Sequence, residues 1–151
     1  MFSFPVLSLP PAKLELKKSE HQFLVKCLIR KKWLVLTPEE WVRQHYIYFL
    51  LDQLKIPSAF ISIEKSIEYG KLKKRWDILV FSKSHKPLIL IECKAPNIAL
   101  SMSTFLQLLT YQHTIQGTFL GMSNGIENRF YKITSEGENK LMEIQSFPTW
   151  D

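Results

Sequence analysis

Residues 77–94 constrain the fold of this chain more than any other stretch. Asp77-Ile78-Leu79-Val80-Phe81 and Leu88-Ile89-Leu90-Ile91-Glu92-Cys93-Lys94 are runs of β-branched and large apolar residues. The polar segment Ser82-Lys83-Ser84-His85-Lys86-Pro87 separates them. Two such runs around a polar connection predict a β-hairpin. Each run is apolar at odd and even positions alike, so both strands should be covered on both faces, in the middle of a sheet. Fourteen residues lie between Asp77 and Glu92, and their midpoint falls between Ser84 and His85. A symmetric loop therefore sets Asp77 opposite Glu92, with Cβ atoms roughly 4.5–5.5 Å apart.

Two carboxylates so placed in a largely buried sheet repel each other. The repulsion goes away if one takes a proton or if both bind a cation. Lys94 lies two residues after Glu92 and leaves the strand on the same face. The carboxylate oxygens suit a hard cation such as Mg²⁺, which keeps several waters of its own. The lysine would orient or help deprotonate one of those waters, which is the chemistry of metal-assisted phosphodiester hydrolysis. The bland alternative is that Asp77 caps a strand end and Glu92–Lys94 is a weak ion pair. The spacing alone favours the bland alternative, and the rest of the chain weighs against it.

Upstream, residues 1–12 are apolar with three prolines and predict an extended arm. Leu14, Leu16 and Phe23-Leu24-Val25 suggest one or two short strands. Arg30-Lys31-Lys32 precedes a strand at Trp33-Leu34-Val35-Leu36. That basic run is equally a solvated surface or a phosphate contact. Thr37-Pro38-Glu39-Glu40 opens a helix, with Thr37 as N-cap, Pro38 at the first turn and Glu40 closing a capping box. The helix should run to about Lys55, burying Ile47, Leu50, Leu51 and Leu54. Glu40 falls on or near that stripe, and Arg43 and Gln44 are expected on the adjoining surface.

Ala59 to Tyr69 predicts a strand whose Glu64 and Glu68 alternate as surface or supporting residues. Gly70 to Arg75 reads as a basic turn into Asp77. Lys73, Lys74 and Arg75 are candidate phosphate contacts, which add affinity without sequence choice. A second helix should span about Leu100 to Gln116. Its packing face would be Met102, Phe105, Leu106 and Leu109, and Gln107 and Tyr111 share one face. Thr118 to Met122 is a strand ended by the turn signal Asn124-Gly125. Arg129 to Ile133 and Lys140 to Ile144 complete the sheet. His21, His45, His85 and His113 have neither ligand nor triad spacing and read as surface or satisfied side chains.

At these residues the chain resembles the PD-(D/E)xK nuclease superfamily. More closely, it resembles the N-terminal nuclease domain of type I restriction enzyme R subunits, in a small stand-alone version. The matching stretches are Leu36 to Gln44, Arg75 to Val80, Ile91 to Pro96, Gln107-x-x-x-Tyr111 and Ser123-Asn124-Gly125, in the family's order over roughly residues 30 to 135. The family places proline before the aspartate, where this chain has Trp76, a position that does no chemistry. The resemblance implies an α/β (α+β) fold with a restriction-endonuclease-like core. Its central mixed sheet would hold an antiparallel meander flanked by helices. It also implies Mg²⁺-dependent DNA cleavage, with Mn²⁺ as a substitute. Asp77, Glu92 and the Cys93 carbonyl would then hold the metal, Lys94 would position water, and Glu40 and Gln107 would support the site. Arg43 and Tyr111 would join Lys73, Lys74 and Arg75 against the nucleic acid. The alternative is a silent DNA-docking or assembly module of the same fold, or a structural partner of separate motor or methylase subunits.

The 151 residues suit one domain, with about 1–30 as an extension and about 30–135 as the core. The net charge of +6 favours a polyanionic partner. Cys27 and Cys93 lack metal-site spacing and read as reduced cysteines of a cytoplasmic protein. No apolar run is long enough to span a membrane, no basic signal region opens the chain, and no phosphate loop offers an ATP site. Cutting both strands of a duplex is easier with two sites, so a homodimer is a reasonable arrangement, though no residue demands it.

Overall fold

The structure, a computed structural model, describes residues 4–69, 72–134 and 140–150; for 64–69, 72–75, 114 and 140 it describes the backbone alone. The described residues form a mixed α/β arrangement of two helices, a three-stranded antiparallel sheet and a six-stranded mixed sheet. The small sheet comprises β1 (Leu16–Ser19), β2 (Gln22–Lys26) and β3 (Trp33–Val35) in that order. Helix α1 (Pro38–Asp52) follows, then a short 3-10 turn at Ser58–Phe60. The large sheet runs β4 (Ile61–Tyr69), β5 (Leu72–Phe81), β6 (Pro87–Cys93), β7 (Phe119–Ser123), β8 (Asn128–Thr134) and β9 (Lys140–Ile144) in spatial order. Helix α2 (Met102–Ile115) crosses from β6 to β7, which pair in parallel; the other pairs are antiparallel.

The expected hairpin forms as β5–β6. Ile78 pairs with Ile91, Leu79 with Leu90 and Val80 with Ile89, and a register shift at Val80/Phe81 accommodates the loop. One step beyond, the register sets Asp77 against Glu92. The even apolar pattern has its predicted cause. One face of the sheet (Ile78, Val80, Ile89, Ile91) packs with Val42, Tyr46, Ile47 and Leu50 of α1. The other (Leu79, Leu90, Leu120, Met122) packs with Leu108 and Tyr111 of α2.

Thr37 caps α1 as expected, its Oγ1 accepting from Glu40 N at 3.0 Å, but the expected capping box does not close: Thr37 N donates to Val35 O, and the Glu40 carboxylate accepts from Arg43 and Gln44. The helix stops at Asp52, three residues short of the expected Lys55, which adopts a left-handed φ of 56°. The stripe begins earlier than the apolar residues suggest. Glu40, Arg43 and Gln44 are buried with Ile47 and Leu50, whereas Leu51 and Leu54 are half-buried. Ala59 belongs to the 3-10 turn, so β4 starts at Ile61. Residues 72–75 belong to β5 rather than to the expected basic turn, whose Gly70 and Lys71 lie outside the described residues. On α2, Met102 and Leu106 are exposed, at 69% and 54%, and the buried face is Thr104, Leu108 and Tyr111. A helix that leans on one sheet face needs only one stripe, and α2 carries more apolar residues than that stripe uses.

The N-terminal arm is extended and pinned. Ser8 N donates to Gly125 O at 2.7 Å, and Leu9 is buried. Gly125 has φ 85°, and a Cβ there would meet Leu7 Cδ2 at 2.7 Å, so the Asn124-Gly125 turn needs its glycine twice over. Both cysteines are free and buried. His45 is buried with Nδ1 2.8 Å from Trp41 O, a satisfied histidine. No helix among the described residues is long and apolar enough to cross a membrane.

Candidate active site

Asp77 stands where the β5–β6 ladder ends, and that placement decides its bonding. The Cys93 N–H lies beyond the last strand pair and donates to Asp77 Oδ2 at 2.7 Å. On the other side, Arg43 Nη2 donates to Asp77 Oδ1 at 2.8 Å. Arg43 comes from the first turns of α1, where the i+3 and i+4 spacings bring it onto Glu40 (Nη1 to Oε1, 2.6 Å) and Glu39 (Nη2 to Oε1, 2.9 Å). One guanidinium thus bridges three carboxylates. Burial opposes its charge, but Asp77 and Glu40 outweigh burial and raise its pKa. Glu40 Oε2 accepts from Gln44 Nε2 at 3.0 Å, and Gln44 Oε1 accepts from Leu28 N at 3.1 Å.

Glu92 lies on the same side of β6 as α2. Its Oε1 accepts from Gln107 Nε2 at 3.0 Å and lies 3.5 Å from Lys94 Nζ. Gln107 also donates to Tyr111 Oη at 3.0 Å and accepts from Lys94 Nζ at 3.3 Å. Glu92 Oε2 is buried with no hydrogen-bond partner among the described residues. Burial, then the charge of Asp77, push the Glu92 carboxyl up to about 8, against the opposing pull of Lys94. Burial and Asp77 raise Glu39 as well. Lys94 N donates to Ser123 O at 2.8 Å, and Asn124 Nδ2 donates to Ile98 O at 2.9 Å. These two bonds fix the backbone around Lys94 from the β7 side.

Asp77, Glu92, Lys94, Glu40, Gln107, Arg43, Tyr111 and the Cys93 backbone therefore form one connected cluster. Arg43 and Gln44, expected on a surface beside the site, are instead buried (4% and 0% exposed). The cause is charge: the guanidinium is the counter-ion of three carboxylates. Tyr111 is buried too, against Gln107. The side chains of Lys73, Lys74, Arg75, Glu64 and Glu68 lie outside the described residues. Sequence reasoning missed Glu39, although Glu39–Arg43 is an i,i+4 acid–base pair and was readable as such. The Cys93 thiol points into the core on the α1 side, away from Glu92, and burial raises its pKa.

The cluster lies apart from a larger cavity of about 690 Å³ between α2 and β8–β9, lined by Phe105, Leu109, His113, Ile133 and Leu141 among others. No group of three or more His, Cys, Asp or Glu among the described residues is arranged to hold a metal. The pair Asp77 and Glu92 nevertheless fits a hard cation. Its donors are oxygens, and Glu92 Oε2 is a buried acceptor with nothing to accept from.

Residues 38–148 match the family described as type I restriction enzyme R protein N terminus (HSDR_N). The chain belongs to that family. Among solved structures, the chain is similar to a fragment assigned as an HsdR subunit of a type I restriction enzyme from Vibrio vulnificus YJ016. The identity is 20%, the match covers 59% of this chain, and the TM-score is 0.42. The match spans 19% of the length of that chain. No curated protein matches the chain. The matched residues contain α1, β5, β6, α2 and the Ser123-Asn124-Gly125 turn.

Proposed function

We propose that this R protein N-terminal region is a metal-dependent nuclease that hydrolyses DNA phosphodiester bonds. In this reading the chain is one domain with a restriction-endonuclease-like core. The observation that carries it is Glu92, a buried carboxyl raised to about 8 beside Asp77 and Lys94, with one oxygen left without a partner. A purely structural core gains nothing from that arrangement, since two neighbouring buried carboxyls must share a proton or bind a cation.

Asp77, Glu92 and the Cys93 carbonyl would hold Mg²⁺ or Mn²⁺. A cation bound there supplies positive charge against the scissile phosphate and makes its bound water more acidic. Everything else falls to the chain. Lys94 Nζ holds the attacking water and its developing charge near Glu92. Gln107 fixes both Glu92 and Lys94 through its two amide ends. Glu40 and Gln44 hold Arg43 and the α1 N-terminus in place. Lys73, Lys74 and Arg75 are the proposed backbone contacts on β5, with Tyr111 lending support through Gln107. DNA is the partner, and a homodimer or separate motor and methylase subunits complete the proposal. The buried reduced cysteines suit a cytoplasmic setting.

A second reading, a DNA-docking module without cleavage, is favoured by one observation: Arg43 already occupies Asp77 Oδ1. Incubation of the protein with supercoiled, linear and single-stranded DNA in Mg²⁺ or Mn²⁺ separates the two. Cleavage by the wild type that is lost in Asp77→Ala and in Lys94→Ala supports the nuclease. DNA binding unchanged in Glu92→Gln, with no cleavage in either metal, sinks it in favour of docking.

A further inference from the structure

The charge of this chain is unevenly placed. Residues 13–32 hold seven Lys and Arg against two acids, and so account for five of the six net positive charges. The fold gathers them on the small sheet and its loop. Lys13, Lys26 and Lys31, with Glu15 and the Cys27-Leu28 segment, line a concavity of about 160 Å³. Lys32, Lys17 and Lys18 are exposed nearby in sequence, and Lys17 Nζ sits 4.2 Å from the centre of the exposed Trp33 ring. Glu15 offsets part of this charge, its Oε2 lying 3.5 Å from Lys26 Nζ.

The loop that presents these lysines is built rather than loose. Lys31 N donates to Cys27 O at 2.9 Å, Cys27 N donates to Lys32 O at 2.8 Å, and Arg30 N donates to Cys27 Sγ at 3.4 Å. Lys31 has a φ of 60°, a conformation that glycine adopts without strain and a lysine rarely does. A long basic side chain thus stands where the backbone would prefer none. The loop is also tied to the candidate site. Leu28 N bonds Gln44, which bonds Glu40, and Arg30 Nη2 donates to Ile63 O at 2.7 Å on β4. Strand β3 then runs directly into Thr37, the N-cap of α1, so the small sheet leads in sequence to the helix end that carries Glu39 and Glu40.

We infer that the concavity of Lys13, Lys26 and Lys31, extended by Lys32, is a nucleic-acid backbone site whose lysines each neutralise a phosphate of the duplex near the candidate active site. The inference rests on the nucleic-acid reading given above and adds a surface to it. A nucleic acid is favoured over an anionic membrane because Leu28 of this loop is bonded through Gln44 to Glu40 of the carboxylate cluster, whereas the exposed apolar residues Met102 and Leu106 belong to a different element, α2.

Binding of a fluorescent duplex DNA, in chelator so that nothing is cut, is measured against salt for wild type and for Lys13→Ala/Lys31→Asn/Lys32→Ala. Asn tolerates the left-handed backbone, and all three side chains are exposed. Each lost phosphate contact removes about 0.9 from the slope of log K against log salt, so the triple variant should fall by about 2–3, with affinity down about tenfold or more. Lys86→Ala, on the exposed β5–β6 loop, should leave both unchanged. An unchanged slope in the triple variant, an equal loss in Lys86→Ala, or no duplex binding by wild type at low salt overturns the inference. So does loss of binding to anionic phospholipid vesicles alone. Wild-type cleavage with normal binding by the triple variant rejects this surface and keeps the nuclease. Lysine-dependent binding without cleavage does the reverse.

Discussion

Arg43 and Asp77 form a buried ion pair, Nη2 to Oδ1 at 2.8 Å, that joins the first turns of α1 to the end of the β5–β6 ladder. Both side chains are nearly inaccessible, 5% and 9% exposed, so removing one leaves the other charged and desolvated. Arg43→Gln should destabilise the fold by about 3–5 kcal/mol, the usual result of breaking a buried pair. Urea denaturation measures this. A loss below about 1 kcal/mol would show that the three carboxylates find other partners.

Glu92 makes stability depend on pH. Between the ordinary carboxylate range and about 8, the folded protein keeps a proton that the unfolded chain releases. Stability is therefore fullest below that window and falls as pH rises through about 8. Glu92→Gln, which carries no ionisable proton, should flatten that fall. Denaturation midpoints at several pH values test it, and equal slopes in the two proteins would contradict the assignment. Cation binding carries the opposite sign: it must expel the proton, so Mg²⁺ affinity should climb over the same window and level off above it.

Gln107 bonds Glu92, Lys94 and Tyr111 at once. Gln107→Ala should weaken cation binding by about 10- to 100-fold, as loss of a ligand's supporting partner does. The melting temperature should change little by comparison. Mn²⁺ titration followed by spin resonance reads the first effect. Unaltered affinity would mean that Glu92 orients itself.

The α1 face of the sheet leaves no room at Gly121. A Cβ there would meet Phe147 Cζ and Tyr46 Oη at 2.9 Å each. Gly121→Ala should cost about 1–3 kcal/mol, the usual overpacking penalty. Tyr46 Oη is itself buried with no partner among the described residues. Tyr46→Phe should therefore raise stability by about 1 kcal/mol or more, since it removes an unsatisfied polar group. A destabilised Tyr46→Phe would reveal a partner for the hydroxyl.

The hairpin, its register and the order of elements were legible because they follow from local rules. Alternation, loop symmetry, the Thr37 cap and the Asn124-Gly125 turn each act within a few residues. Arg43 was misplaced because hydropathy assigns a charge to the surface. Only the third dimension shows that Glu39, Glu40 and Asp77 converge on it. The face of α2 was half misjudged for a related reason: Phe105 and Leu109 do pack against the core, whereas Met102 and Leu106 are exposed. Met102, Phe105, Leu106 and Leu109 are all apolar, and periodicity alone does not say which stripe meets the sheet. The end of α1 was overrun because Leu54 continues the apolar pattern past Asp52, where the helix ends just before the backbone turns at Lys55.

The parallel β6–β7 pairing has a kinetic consequence. The two acids sit on a hairpin whose strands are neighbours in sequence, so they can meet early in folding. Lys94 is different, because its backbone is fixed by Ser123, across the whole of α2. That contact closes a long loop, which makes it a slow step relative to hairpin formation. The acidic pair should thus assemble before Lys94 is fixed beside it. In that interval the chain holds two opposed carboxyls without their cation, a state that Mg²⁺ in the refolding buffer should shorten.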